Sequence, residues 1–221
     1  IFRSKKSASL QEKLLIAEEL MNGLLFMHQK KIVHGDLKLE NGLCEFDDKG
    51  CIVAAKLCDF GICYSTEEES AETRKVPDLY EWGHGGTAEF SPPEVYGTLN
   101  FQGDYYAVDV WGMGAMLYEI FFGTPLPWRK DIGVTTKVNF NEAERKHLDL
   151  GTLQKARTTV REKLTNVIEV PLQRLSQQAE LTKKDAFSQL IYKMMRLDPT
   201  KRPNITAALA ELMQLKARYP A

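Results

Sequence analysis

Apolar positions first recur at three- and four-residue steps, through Leu10, Leu14, Ala17, Leu20, Met21, Leu24 and His28. That is the helical period, and it predicts a helix over 9–30. Ser9 and Glu12 stand in the S-x-x-E spacing of a capping box at its start. Residues 42–46 and 51–58 read as two short strands. Asp47-Asp48-Lys49-Gly50 between them reads as a turn, with Gly50 free to take positive φ. Residues 61–103 are polar, carry the run Glu67-Glu68-Glu69 and are punctuated by Gly and Pro, which predicts a long loop. Residues 105–122 are apolar on all sides of a helix axis, so this helix is expected to be buried. A mixed-charge amphipathic helix is predicted over 141–164, capped by Asn141. Two more helices, 185–197 and 204–218, are joined by Asp198-Pro199-Thr200-Lys201-Arg202-Pro203. The pattern is that of an α+β chain, mainly helical, with one small β-hairpin.

Composition narrows this picture only a little. Hydrophobic residues make up 43% and charged residues 27% of the 221 positions, the usage of a globular protein. A net charge of −1 gives no reason to expect nucleic acid or an anionic membrane as partner. No apolar run approaches the roughly 18 residues of a spanning helix. The opening residues, Ile1 to Lys6, include neither an initiator Met nor the apolar core of a signal peptide. The expectation is a chain that begins inside a longer, cytoplasmic protein. The four cysteines, Cys44, Cys51, Cys58 and Cys63, form no C-x-x-C pair. They read as small buried hydrophobes in a reducing compartment.

Chemistry concentrates in two clusters. His34-Gly35-Asp36-Leu37-Lys38-Leu39-Glu40-Asn41 follows the first helix and precedes the first strand, and Asp59-Phe60-Gly61 follows the second strand. Asp36, Asn41 and Asp59 bring two carboxylates and an amide onto adjoining loops. Such hard oxygen ligands suit Mg²⁺ held against phosphates. Lys38 adds a cation two positions from Asp36. Metal, cation and an orienting carboxylate are the parts that phosphoryl transfer needs. Further along stand Pro92-Pro93-Glu94, Asp109-Val110-Trp111-Gly112 and Lys201-Arg202-Pro203.

In these residues the chain resembles the protein kinase family. The family signatures H-R-D-L-x-x-x-N, D-F-G and A-P-E occur in that order. The first matches at His34, Asp36, Leu37 and Asn41, the second fully, and the third at Pro93 and Glu94. The resemblance runs from about residue 8 to residue 215, and implies a kinase-like fold of which this chain is the mainly helical C-terminal lobe. The hairpin would carry the catalytic loop, 34–41, and the D-F-G loop. An activation segment would span 59–94. ATP and Mg²⁺ are the implied cofactors, with a protein as substrate.

Residue by residue, the resemblance makes Asp36 the catalytic base and sets Lys38 on the transferring phosphate. Asn41 and Asp59 would hold Mg²⁺. Glu40 and Leu43 would join the nucleotide site, Leu43 beneath the adenine. His34, Phe60 and Gly61 would be structural, with His34 and Phe60 packed together. Glu94 would pair with Arg202, and Asp109 would bind the backbone at His34 and Gly35. Lys38 and Gly86-Thr87 both follow the serine/threonine type, with Thr87 expected to bridge Asp36 and Lys38.

Three departures qualify the resemblance. Gly35 stands where the family carries Arg, the usual partner of an activation-segment phosphate. Activity is therefore expected not to depend on phosphorylation of Ser65, Thr66, Ser70 or Thr73. No Gly-rich phosphate loop and no Val-Ala-Ile-Lys strand occur, so the N-terminal lobe is expected to be missing and the fragment alone inactive. Asp109 to Arg202 is about two dozen positions longer than the family layout. The extra length, around 130–180, reads as a solvated helical elaboration, with a docking surface for substrate or regulator as the sharper alternative. A pseudokinase-like scaffold or protein-binding module is the alternative to an enzyme. A small-molecule kinase fits less well, because Glu94 and a late Arg are both present.

Overall fold

The computed structural model describes residues 8–66, 87–96, 104–130, 150–181 and 186–220. Helix α1, Leu10–Gln29, begins at a complete capping box in which Ser9 and Glu12 satisfy each other's backbone amides. Strands β1 (Ile32–Val33), β2 (Gly42–Phe46), β3 (Ile52–Leu57) and β4 (Tyr64–Ser65) follow. β2 and β3 form the antiparallel hairpin, with Gly42 opposite Leu57 and an irregularity between Glu45 and Phe46. Its turn carries Gly50 at φ +77°. β1 and β4 pair antiparallel through Ile32–Ser65 and Val33–Tyr64, a contact the sequence pattern missed. Two-residue strands are too short for any alternation to register.

Helix α2, Tyr105–Phe122, is the axis of the molecule. Every residue from Ala107 to Leu117 is buried, as are Glu119 and Ile120. Asp104 caps its start by accepting the amides of Tyr106 and Ala107, and Gly123 closes its end in the left-handed region. α1 lies against α2, and the hairpin rests on α1 through β3. Lys13 on α1 donates to the Phe121 carbonyl at 3.0 Å.

Helix α3 runs Leu150–Leu181, α4 Ala186–Met194 and α5 Ile205–Lys216. The expectation of a helix ending at 164 is corrected, because α3 continues through Pro171. Leu164, Ile168, Leu172 and Leu175 form a buried stripe at helical spacing that carries it onward. α3 packs on α4 and on the turn Pro93–Tyr96, so the described part of the elaboration is not simply a solvated face. The Asn141 cap, the Glu67–Glu69 run and the Gly83–Gly86 stretch lie outside the described residues. α5 returns to α1, where Lys216 pairs with Glu18 and Gln11 donates to the Tyr219 carbonyl. The cysteines are corrected too: Cys51 is exposed and the other three are only half-buried. Among the described residues no helix is long and apolar enough to cross a membrane.

Candidate functional site

The loop after β1 is held from beneath by a buried acid. Asp109, on the second turn of α2, accepts the His34 amide at 2.8 Å and the Gly35 amide at 2.9 Å. His28, in the last turn of α1, brings its Nε2 to the same carboxylate at 2.9 Å. Gly35 has φ +80°. A side chain there would cost about 1–2 kcal/mol in the left-handed region, a local reason for glycine at this position.

His34 is buried and braces the loop on its other side. Its Nδ1 accepts the Asp36 amide at 3.3 Å, while Nε2 lies 3.2 Å from the Cys58 carbonyl, just before Asp59. Its ring packs at 5.6 Å from that of Phe60, which is itself 55% exposed.

The Asp36 carboxylate is held at both oxygens. Lys38 Nζ donates to Oδ2 at 2.6 Å, and Asn41 Nδ2 reaches the same oxygen at 3.2 Å and the Asp36 carbonyl at 2.8 Å. Thr87 Oγ1 donates to Oδ1 at 3.0 Å. The Thr87 hydroxyl and Lys38 thus meet opposite oxygens of the Asp36 carboxylate, where Thr87 was expected to bridge Asp36 and Lys38. Asn41 sits in the short turn Leu39–Asn41, and its carbonyl accepts the Cys58 amide at 2.9 Å. That bond sets the Asp59 backbone beside Asn41, with Asp59 in the left-handed region at φ +63°. Short polar side chains tolerate that region best after glycine.

With its amide N–H₂ on Asp36, Asn41 keeps its side-chain oxygen for another partner, and Asp59 is exposed. One amide oxygen and one carboxylate fit a magnesium ion that takes its other ligands from phosphates and water. Among the described residues no three His, Cys, Asp or Glu side chains gather as a metal site. Leu43, on β2, is 51% exposed on the open side of the hairpin. Glu40 is exposed, and Gly61 follows Phe60 in the same open loop.

Below this cluster, Glu94 and Arg202 form a buried two-bond pair at 2.6 and 3.0 Å. Arg202 also donates to the Ala107 carbonyl of α2. Burial pushes the Cys63 thiol up to about 11, aided by the carboxylates of Asp109 and Asp59.

The motifs did not point to Glu119. It is 8% exposed, accepts the Leu126 amide at 3.2 Å and meets Arg129 at 3.4 Å. Burial raises its carboxyl above the usual range. A lone glutamate in the apolar run 105–122 was the signal that could have found it, since buried charges need partners.

The family model described as protein kinase domain matches residues 1–213. The chain is 34% identical over 152 residues to the serine/threonine-protein kinase Sgk1 of Homo sapiens, covering 64% of this chain and 31% of that protein. It is 33% identical over 126 residues to the MAP kinase-interacting serine/threonine-protein kinase 1 of Xenopus laevis, covering 56% and 29%. A longer match, 191 residues at 26% identity, is to the probable serine/threonine-protein kinase CCRP1 of Zea mays, covering 86% and 23%. The chain spans less than a third of the length of these curated relatives.

Proposed function

The chain belongs to the protein kinase family, and from that premise we propose that it is the helix-rich C-terminal lobe of a serine/threonine protein kinase. In this reading it transfers the γ-phosphate of ATP to serine or threonine hydroxyls of protein substrates. The observation that carries the reading is the Asp36 carboxylate, held by Lys38 on one oxygen and Thr87 on the other.

Asp36 accepts the proton of the substrate hydroxyl and points its oxygen toward phosphorus. Lys38 and Asn41 keep the carboxylate from rotating, and Lys38 balances charge on the transferring group. Asn41 and Asp59 would hold magnesium, which when bound neutralises charge on the phosphates. Leu43 offers an apolar floor to the adenine, and Glu40 borders the same side. Thr87 is poised where the substrate hydroxyl arrives, which supports the serine/threonine assignment along with the relatives. The exposed Leu43, Phe60 and Val53 suit a second lobe closing over them, with the Gly-rich loop and strand lysine that this chain lacks.

The test is phosphate transfer from Mg-ATP by the full-length protein beside an Asp36→Asn control. Removing a carboxylate base is expected to cost about 10²- to 10⁴-fold in rate. Transfer to serine or threonine that collapses in the control supports the reading. A folded full-length protein that transfers to no protein substrate points to the scaffold instead.

A further inference from the structure

Among the described residues, Arg129 sits between two carboxylates at the edge of the loop 34–41. Arg129 Nη1 lies 3.4 Å from Glu119 and Nη2 lies 3.5 Å from Glu40, one position from Asn41. Its guanidinium also lies 6.0 Å from the centre of the Phe90 ring. Phe90 in turn lines, with Asp36 and Thr87, the crevice at the foot of the catalytic loop. Glu89 belongs to the same field, since its charge and that of Glu40 both act on the buried Glu119 carboxyl.

The arginine does not arrive there by free rotation of a surface side chain. Glu119 accepts the Leu126 amide, the Leu126 carbonyl accepts the Arg129 amide at 3.0 Å, and Trp128 Nε1 donates to the Glu89 carbonyl at 3.0 Å. The turn 126–129 is therefore tied down on both sides, and it delivers Arg129 to the carboxylates. Glu119 is buried, so without a cation its charge would be uncompensated. Glu40 is exposed and gives the notch an open side.

We propose that Arg129 is a specificity-determining residue, filling from within the chain an acidic notch beside Asp36 that would otherwise accept the guanidinium of a peptide substrate. The proposal rests on the protein-kinase reading for its substrate class. Its consequence is a site indifferent to arginine in the peptide, because the cation that the carboxylates need is already covalently attached. Removing Arg129 takes from Glu119 and Glu40 the cation that meets both among the described residues, and an arginine side chain from outside becomes a fitting partner for them.

The experiment uses the full-length protein and peptides carrying one serine, with a single arginine walked along either side of it. Binding of non-phosphorylatable versions, in which alanine replaces the serine, is read by fluorescence anisotropy, and KM and kcat are read on the serine versions. Wild type is expected to treat arginine-bearing and neutral peptides alike, within about twofold. Arg129→Gln is expected to bind at least one arginine peptide about tenfold more tightly than the neutral one, mainly through KM, with the gain shrinking in salt. Arg129→Lys, which keeps the cation, is expected to behave as wild type. A wild type that already prefers an arginine peptide, or an Arg129→Gln protein that gains no preference, overturns the proposal. If the Gln variant does not fold, the wild-type comparison still decides. The anisotropy arm needs no phosphate transfer, so failure of the kinase reading and failure of the notch are seen separately.

Discussion

Asp109 is 1% exposed, yet its carboxylate is met by two backbone amides and an imidazole. Burying a charge is tolerable only with that kind of compensation. The same carboxylate bears on Cys63, whose thiol also lies against the His34 carbonyl at 3.4 Å. With its pKa raised to about 11, Cys63 stays protonated at neutral pH. The thiolate is the nucleophile, so iodoacetamide at pH 7.5 is expected to label exposed Cys51 well before Cys63. The sign for stability follows. Because the folded pKa is the higher one, the contribution of Cys63 is complete below the ordinary thiol value of 9.0 and is lost as pH rises through about 11. Peptide mapping after timed alkylation tests this. Cys63 labelling as fast as Cys51 at pH 7.5 would refute it.

α2 carries two glycines in its interior, where each costs about 1 kcal/mol relative to alanine. Both are close approaches. A Cβ on Gly112 would lie 2.8 Å from the Cβ of Leu37, and one on Gly114 would lie 2.7 Å from Met195 Cγ. Within one turn the helix thus packs directly under the loop 34–41 on one face and against the end of α4 on the opposite face. For Gly112→Ala, the gain in helix propensity opposes a clash that involves loop backbone as well as side chain. Overpacking of about 1–3 kcal/mol is expected to win. The variant should therefore be less stable in urea and should displace Leu37, next to Asp36. An unchanged or raised urea midpoint would show that the loop yields without cost.

Glu94 and Arg202 are 108 positions apart and buried together. Their pair ties the turn Pro93–Tyr96 to the turn before α5. Arg202 spreads further, donating to the carbonyls of Ala107 and Arg196 and lying 4.9 Å from the Trp111 ring centre. One side chain thereby joins the segment after Thr87, the axis of α2 and the C-terminal helices. Replacing the pair with apolar residues is not expected to be costly, but leaving one charge alone is. Glu94→Ala should lose about 3–5 kcal/mol, and Glu94→Leu with Arg202→Met together should lose much less than the two single changes summed. Equilibrium denaturation of the four proteins measures it. Additive losses would show that the pair acts as two separate residues.

Periodicity and local chemistry made α1, the hairpin, α2, α4 and α5 legible, because capping boxes, turns and apolar stripes are properties of neighbouring residues. The motif residues Asp36, Lys38 and Asn41 were legible as a group for a related reason: they stand close together in the order of a family signature, and the fold brings them onto one carboxylate. Other features depend on partners far away in the chain. The β1–β4 pair was invisible because two residues carry no pattern, and α3 ran past residue 164 because its stripe is buried by α4 and the Pro93–Tyr96 turn. His28 looked like one more position on an apolar face until folding brought it to Asp109. Arg129 stands in no motif, and only the turn 126–129, pinned by Glu119 and Glu89, carries it to Glu40. Spacing along the chain names the groups that can do chemistry, but long-range packing chooses which charges meet.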